Sequence, residues 1–358
     1  MKNTYFTPGP AELYPTFYPH LQRAMDEQIG SISHRSQRFR DIYKFADEQL
    51  RTLLTIPKTH GIFFTGSASE VWERMILNCV EHESFHLVNG SFSQKFYDYA
   101  VALRKHAHVL EKPFGEGFDA ADIDVPDYAE LVCLTHNETS SGVQMRPAEI
   151  HKLKRKYPKK LFCVDTVSSA PYPDLDFSLI DSAFFSVQKA FGMPAGLGVW
   201  IASKACLEKA EELQHNDSLT IGAHHTLPTL WKHYNSFETP ATPNVLFIYL
   251  LGKIAEDFNR IGIDTLRKQT EEKARMLYKF LDTSDAYEPY VKQERHRSQT
   301  VIVATTKKPS TDVIAAAKTA NMIVGSGYGK LKESQIRIAN FPAVSTEQVA
   351  ALIEQLKK

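Results

Sequence analysis

Short apolar runs alternate along the first two-thirds of the chain with segments whose apolar positions recur every three or four residues. Residues 36–55 carry Phe39, Ile42, Tyr43, Ala46, Leu50, Leu53 and Leu54 at that spacing, which predicts an amphipathic helix. Gly61-Ile-Phe-Phe-Thr65 reads as a buried strand. It leads through Gly66-Ser67-Ala68-Ser69-Glu70 into a helix to about Val80, with Ser67 and Glu70 at capping-box spacing. Residues 129–136 predict an apolar strand, 147–157 a helix with Pro147 in its first turn, and 161–165 a second strand. That is a βαβ unit with a right-handed crossover. Further strands are expected at 181–187 and 198–202. Strands alternating with helices imply an α/β fold on a mostly parallel sheet covered on both faces.

Beyond Pro243 the pattern changes. A helical region spans 245–281 with a break at Ile261-Gly262-Ile263. Then come a strand at 300–305, a helix at 311–320, a strand at 336–339 and a closing helix at 346–356. Pro8, Pro10, Pro15 and Pro19 make residues 1–20 an extended arm. The expected organisation is an arm at 1–15, a large α/β domain at 16–259 and a smaller α+β domain at 260–358.

Composition narrows the class. Of 358 residues, 43% are apolar and 23% charged, which is ordinary globular usage and excludes a disordered chain. Lys+Arg and Asp+Glu both total 42, so no bulk positive field favours nucleic acid. No apolar run approaches the roughly 20 residues that span a bilayer, and the N-terminus lacks the apolar core of a signal peptide. The four cysteines form no Cys-x-x-Cys pair. They read as buried reduced thiols of a cytoplasmic protein.

Ligands of open α/β sheets bind beyond the carboxyl ends of the strands. Thr139, Asp165 and Lys189 each follow or end such a strand. One amine, one carboxylate and one hydroxyl on successive strand ends suit pyridoxal phosphate. The amine of Lys189 can condense with its aldehyde, the Asp165 carboxylate can face its ring nitrogen, and the Thr139 hydroxyl can hold its phenolic oxygen. Backbone N–H groups at Ser67, Ala68 and Ser69, before a helix, suit the phosphate. Phe92, in Asn89-Gly90-Ser91-Phe92, can lie flat on the ring. Singly, each has a plainer explanation: a helix cap, a solvated lysine, a core aromatic. The order along the chain makes the case.

Those segments resemble the class V aminotransferases, a family of fold-type I pyridoxal-phosphate enzymes, over nearly the whole chain. Thr7-Pro8-Gly9-Pro10-Ala11 resembles the family's N-terminal arm, and Ser33-His34-Arg35-Ser36 its His-Arg element. Gly66-Ser67-Ala68-Ser69 resembles the phosphate turn, Asn137-Glu-Thr-Ser-Ser-Gly142 the hydroxyl loop, Asp165-Thr-Val-Ser-Ser the carboxylate, and Gln188-Lys189 the lysine segment. The resemblance implies that Gln188 contacts the cofactor phosphate or ring oxygen, and that Thr239 reaches a neighbouring subunit's cofactor phosphate. It therefore implies a homodimer with shared sites. It also implies that Arg337 grips the substrate α-carboxylate, a planar group that suits its fork. The implied reaction is ping-pong transfer of an amino group between an amino acid and a 2-oxo acid.

Within the family, two groups are nearest. The Gln188-Lys189 pair, Ser33-His34-Arg35 and the Asn-Glu-Thr loop lean to members that use phosphoserine and 2-oxoglutarate in serine biosynthesis. His34 and Arg35, from the partner subunit, would then supply cations for the side-chain phosphate. Two departures favour the alanine/serine–glyoxylate or pyruvate group. Lys330-Leu331 stands where a His-Arg pair is common, and Lys330 replaces charge but not bidentate geometry. Glu238 stands where Asn is common, and its charge would repel a phosphate.

A different class remains. His82-Glu83-Ser84-Phe85-His86 fits the zinc-hydrolase pattern, but the predicted helix ends before it. His86 enters an apolar strand, where residues four apart chelate one ion poorly. His224-His225 is read as incidental. Cysteine desulfurases share the fold but need a late reactive cysteine, and none follows Cys206.

Overall fold

The computed structural model describes residues 2–216 and 219–358. A seven-stranded sheet forms its larger layer, in the order His60–Thr65, Gly198–Ser203, Ser182–Ser186, Leu161–Asp165, Leu131–Thr135, Glu83–Val88 and His106–Glu111. Neighbours from Ser182–Ser186 outward to His106–Glu111 are parallel, with Thr135 beside Asp165 and Asp165 beside Phe184. The central strands are buried on both faces, as their unbroken apolar runs require.

One strand departs from the expected direction. Gly198–Ser203 is antiparallel to both its neighbours, pairing Gly198 with Thr65 and with Ser186. A parallel return needs a crossover of a dozen or more residues, usually a helix. The segment after Ser186 holds none. It turns back instead through Gly192 and Gly196, whose φ values of 59° and 131° suit glycine. Because His60–Thr65 is again antiparallel to this strand, the chain leaves Thr65, Val88, Thr135, Asp165 and Ser186 along one edge of the sheet.

Helices cover this sheet. Helix Gln37–Leu54 starts from Ser36, whose side chain accepts from the Phe39 N–H at 3.2 Å, and buries its expected apolar stripe. Helix Val245–Ile261 crosses it closely. A Cβ on Gly252 would stand 3.2 Å from the Ala46 Cα, so the missing side chain sets the approach. The predicted break falls at Gly262, whose φ is 88°, before helix Ile263–Thr283.

A second, five-stranded sheet runs Thr4–Phe6, Met322–Ser326, Gln335–Ala339, Val301–Thr306, Tyr287–Pro289. Its first strand comes from the arm and lies parallel to Met322–Ser326. The arm is therefore not wholly irregular, and it ends in helix Phe17–Asp26, where Pro19 sits in the first turn and lacks only an N–H that would have no partner there. Between its strand and its helix the arm lies on the 187–197 segment. The Ala11 N–H donates to the Gln188 carbonyl at 3.1 Å and the Tyr14 N–H to the Gly192 carbonyl at 2.8 Å.

A Cβ at Gly192 would lie 2.5 Å from the Tyr14 nitrogen. Gly192→Ala combines that clash with a left-handed φ. It should lower stability by at least about 1–3 kcal/mol, read as a fall in the urea midpoint of the purified protein.

Candidate functional site

The carboxyl edge of the large sheet gathers the residues singled out above. Asp165 ends its strand and is 3% exposed. Its Oδ1 accepts from the Val167 N–H at 2.8 Å and its Oδ2 from the Trp72 indole N–H at 3.0 Å. Burial pushes its carboxyl up to about 7, with Glu138 adding to the rise and the two donors and Lys189 opposing it. Lys189 projects from the turn after Ser186 and donates from Nζ to the Pro8 carbonyl at 2.7 Å. Burial brings its amine down to about 8. Arg337 lowers it further and Asp165 pulls the other way. Lys189 thus feels both Arg337 and Asp165. Gly9 suits its place there, because its φ is 137° and a Cβ on it would press on the Lys189 side chain.

Thr139 lies at the tip of a small hairpin, Asn137–Glu138 with Val143–Gln144. Its hydroxyl donates to Ser168 Oγ at 2.7 Å, which leaves its oxygen free to accept from a ligand. The hairpin is fixed by Glu138, which is 1% exposed. Its carboxylate accepts from the N–H groups of Phe92, Ser93 and Ser140 and from the hydroxyls of Ser93 and Ser140, at 2.6–3.3 Å. Two of those N–H groups open helix Ser91–Ala102, where a carboxylate also meets the positive end of the helix dipole. Phe92 is held there by its backbone. Its ring lies 5.3 Å from that of Tyr328, tilted by 46°.

The turn before helix Ser69–Cys79 differs in detail from the expected anion cradle. The Ala68 N–H is already taken by Ser186 Oγ at 2.9 Å, so Ala68 is not a free donor. The capping box does not form either, since the Glu70 carboxylate takes the Gly66 N–H at 3.2 Å. His225 binds the same carboxylate and, first among several causes, holds it below the usual range. Among the described residues, the Ser67 and Ser69 N–H groups have no acceptor, and both hydroxyls are uncommitted. They can hold an anion at this helix start. A Cβ on Gly198 would fall 2.5 Å from the Ser67 carbonyl carbon, so the antiparallel strand supports this turn from below.

Arg337 lies on Gln335–Ala339 of the smaller sheet. Its Nε donates to the Ser326 carbonyl at 2.8 Å, and its guanidinium carbon stands 5.3 Å from the centre of the Tyr328 ring. Its Nη1 also reaches the Thr139 carbonyl at 3.5 Å, and among the described residues Nη2 has no acceptor and is left for a ligand. Gln188 adjoins Lys189, and among the described residues its side chain has no hydrogen-bond partner. Lys330 is exposed on the turn Gly329–Leu331, with no ion pair among the described residues.

A second group gathers around Glu238. Arg35 donates to the Thr239 carbonyl at 2.9 Å, to Glu238 at 3.2 Å and to the Pro240 carbonyl at 3.3 Å. Arg40 also binds Glu238, from Nε at 2.9 Å. These two arginines, Arg40 first, hold the Glu238 carboxyl below its usual range, so its charge is compensated. Thr239 donates to the Ala241 carbonyl at 2.7 Å and lines a cavity of about 250 Å³ with Gly66, His225 and Asn244. His34 is half-buried beside Arg35.

The zinc pattern does not converge. Glu83 and His86 lie in strand Glu83–Val88, and His82 is exposed before it. Glu83 turns to His108 at 3.0 Å on the next strand, while His86 is buried, bonded to Ser84 Oγ at 2.9 Å and driven down to about 3 by burial. Among the described residues no group of three or more His, Cys, Asp or Glu is placed to hold a metal. No helix of these residues is long and apolar enough to cross a membrane. All four cysteines are buried free thiols.

The family model of class V aminotransferases matches residues 108–338. The chain is a class V aminotransferase. A solved phosphoserine aminotransferase from Cytophaga hutchinsonii is 49% identical and overlays with a TM-score of 0.97, covering 99% of this chain and 98% of that one. A curated phosphoserine aminotransferase of Rhodococcus opacus is 26% identical over 362 residues, which cover 97% of this chain and 92% of the relative. The fold is also that of an alanine–glyoxylate aminotransferase from Nostoc, with a TM-score of 0.85 at 20% identity. The fold is therefore the fold-type I α/β architecture of these aminotransferases, and the chain is a transaminase.

Three contributors here were not singled out from the sequence: Trp72, Glu138 and Tyr328. Trp72 follows the apolar spacing of its helix and reads as core. The raised carboxyl of Asp165 gives a sign for pH dependence. An unfolded aspartate titrates near 4, so below that value folding is not disfavoured by this group. Between that value and about 7 the unfolded chain has released a proton that the folded site still holds, so stability falls across that window and levels off above it. The melting temperature of Asp165→Asn relative to the parent, both cofactor-free, should therefore be higher at pH ~8 than near pH ~4, measured by differential scanning fluorimetry.

Proposed function

We propose that this transaminase uses pyridoxal phosphate to move the amino group of phosphoserine to 2-oxoglutarate, as a cytoplasmic homodimer. The observation that carries the substrate is the whole-chain likeness, at 49% identity, to a solved phosphoserine aminotransferase. The donor set fits the cofactor: a buried amine with lowered proton affinity, a buried carboxylate across from it, and two unpaired N–H groups with two hydroxyls at a helix start.

When bound, the cofactor supplies an aldehyde that condenses with amines and a ring that takes up the electron pair left at Cα. Lys189 is the residue that holds that aldehyde and, as a free amine, carries the Cα proton. Its lowered proton affinity keeps a fraction neutral at physiological pH. Asp165 keeps a negative charge beneath the ring nitrogen. Ser67 and Ser69 hold the phosphate, Thr139 and Gln188 the polar edge of the ring, and Phe92 its face. Arg337 binds the substrate α-carboxylate.

The Arg35–Glu238–Thr239 cluster joins the two residues that the family resemblance sends to a neighbouring subunit. We assign it, with His34, to the partner's site, where Thr239 adds to the cofactor phosphate contacts and His34 and Arg35 face the substrate phosphate. The compensated charge of Glu238 removes one objection to a phosphate nearby. Lys330 supplies the remaining cation from within the chain.

The test is a half-reaction screen. Holoenzyme mixed with phosphoserine, glutamate, alanine, serine or aspartate should lose the visible band of its cofactor with phosphoserine and glutamate. Rapid loss with alanine or serine, and none with phosphoserine, would overturn the substrate in favour of the glyoxylate-type group. Arg337→Ala should raise KM for both phosphoserine and glutamate by about tenfold or more, corresponding to the ~1.5–3 kcal/mol of a charge-assisted hydrogen bond. An unchanged KM would remove its carboxylate role.

A further inference from the structure

Trp72 lies on helix Ser69–Cys79, one turn after the uncommitted Ser67 and Ser69 N–H groups. It is 5% exposed and packs its indole 6.3 Å from the Phe96 ring, nearly parallel, and edge-on to Tyr99 at 5.6 Å. Apolar surroundings of that kind would accept a phenylalanine. What a phenylalanine lacks is the indole N–H, which here points at Asp165 Oδ2 at 3.0 Å. Since Val167 supplies Oδ1, each oxygen of the carboxylate has one fixed donor on a different element. The two donors together leave the carboxylate one rotation about its Cβ–Cγ bond.

We propose that Trp72 is a positioning residue of the transamination site, its indole N–H setting the rotation of the Asp165 carboxylate and favouring its ionised form before the cofactor ring nitrogen arrives. This rests on the cofactor reading above. A buried carboxylate is driven toward the neutral acid, and a hydrogen bond to the charged form opposes that drive. The other groups facing Asp165 are Lys189, which favours its charge, and Glu138, which disfavours it. Cys163, on the same strand, is kept neutral by burial. Trp72 thus supplements Lys189 at the moment when that lysine's amine is neutral and offers no charge. An indole N–H does not titrate, so its support is the same in either state of the lysine.

Two measurements on the full chain test this. Tryptophan is present at three positions, so the indole N–H signals of the ¹⁵N-labelled, cofactor-free protein are few, and the one lost in Trp72→Phe is assigned. That signal should move with pH as Asp165 titrates, and the movement should vanish in Asp165→Asn. In the second, Trp72 is replaced by benzothienylalanine, its sulfur isostere, which keeps the shape and removes the donor. Pyridoxal phosphate affinity, followed by fluorescence quenching against pH, falls as Asp165 takes up its proton. Losing the donor raises the Asp165 midpoint, so the fall should move to higher pH by about half a unit or more, with affinity at pH ~7 lowered at least about twofold. Lys189 titrates in both proteins, so the difference between them reports the indole donor. The melting temperature should stay within about a degree of the parent.

An isostere protein with the parent's pH midpoint and affinity would overturn the proposal and make Trp72 a packing residue. So would an indole signal that ignores Asp165. Failure of the cofactor reading has another signature, in which Asp165→Asn binds pyridoxal phosphate as tightly as the parent while the indole signal still follows Asp165.

Discussion

The buried carboxylate of Glu138 is the constraint on which the ligand-facing edge depends. A charge with so little exposure is tolerated only when its lone pairs are filled, and five donors fill them. Those donors come from two separate segments, the start of helix Ser91–Ala102 and the hairpin loop that carries Thr139. Satisfying one carboxylate therefore fixes the distance between Phe92 and Thr139. The demand reaches the backbone as well, since a Cβ on Gly90 would stand 2.3 Å from Glu138 Cγ. The same charge adds to the burial-driven rise of Asp165 and opposes the burial-driven fall of Arg337. A single structural anion thus sets part of the electrostatic background for the groups proposed to meet substrate and cofactor.

Lys189 needs a different kind of support. A parallel strand after Ser186 would have required a helix in the segment that holds it. The antiparallel return of Gly198–Ser203 replaces that helix with a glycine-containing turn, and the N-terminal arm then covers the turn through its carbonyl at Pro8. Burial under the arm is what lowers the amine's proton affinity most. Topology comes first, and the Arg337 charge second, in bringing the lysine's proton affinity toward neutrality.

Strand ends were legible in the sequence because a polar residue after an apolar run stands out. Asp165, Lys189 and Thr139 were found that way, and all lie on one edge. The direction of Gly198–Ser203 was not legible, since an apolar run reads the same in either sense. Strand His106–Glu111 escaped because it sits at the sheet edge and shows mixed polarity. Strand Met322–Ser326 escaped because it is short and half-buried. The loss of the Ala68 N–H to Ser186 depends on a contact between segments far apart in sequence, which no local pattern reveals. Trp72 hid for the opposite reason. Its spacing is that of a core residue, and most of its surface is core; only one atom faces the site.

The arm has a further bearing on how the molecule comes into being. Its strand Thr4–Phe6 finds its partner strand in Met322–Ser326, far along the polypeptide. During synthesis, Thr4–Phe6 emerges well before Met322–Ser326 and must wait for it. Contacts that join such remote positions form late and slowly. A nascent chain can thus assemble the seven-stranded sheet while the amine of Lys189 is still uncapped. The cap over that amine is therefore completed late, once Met322–Ser326 has joined the arm.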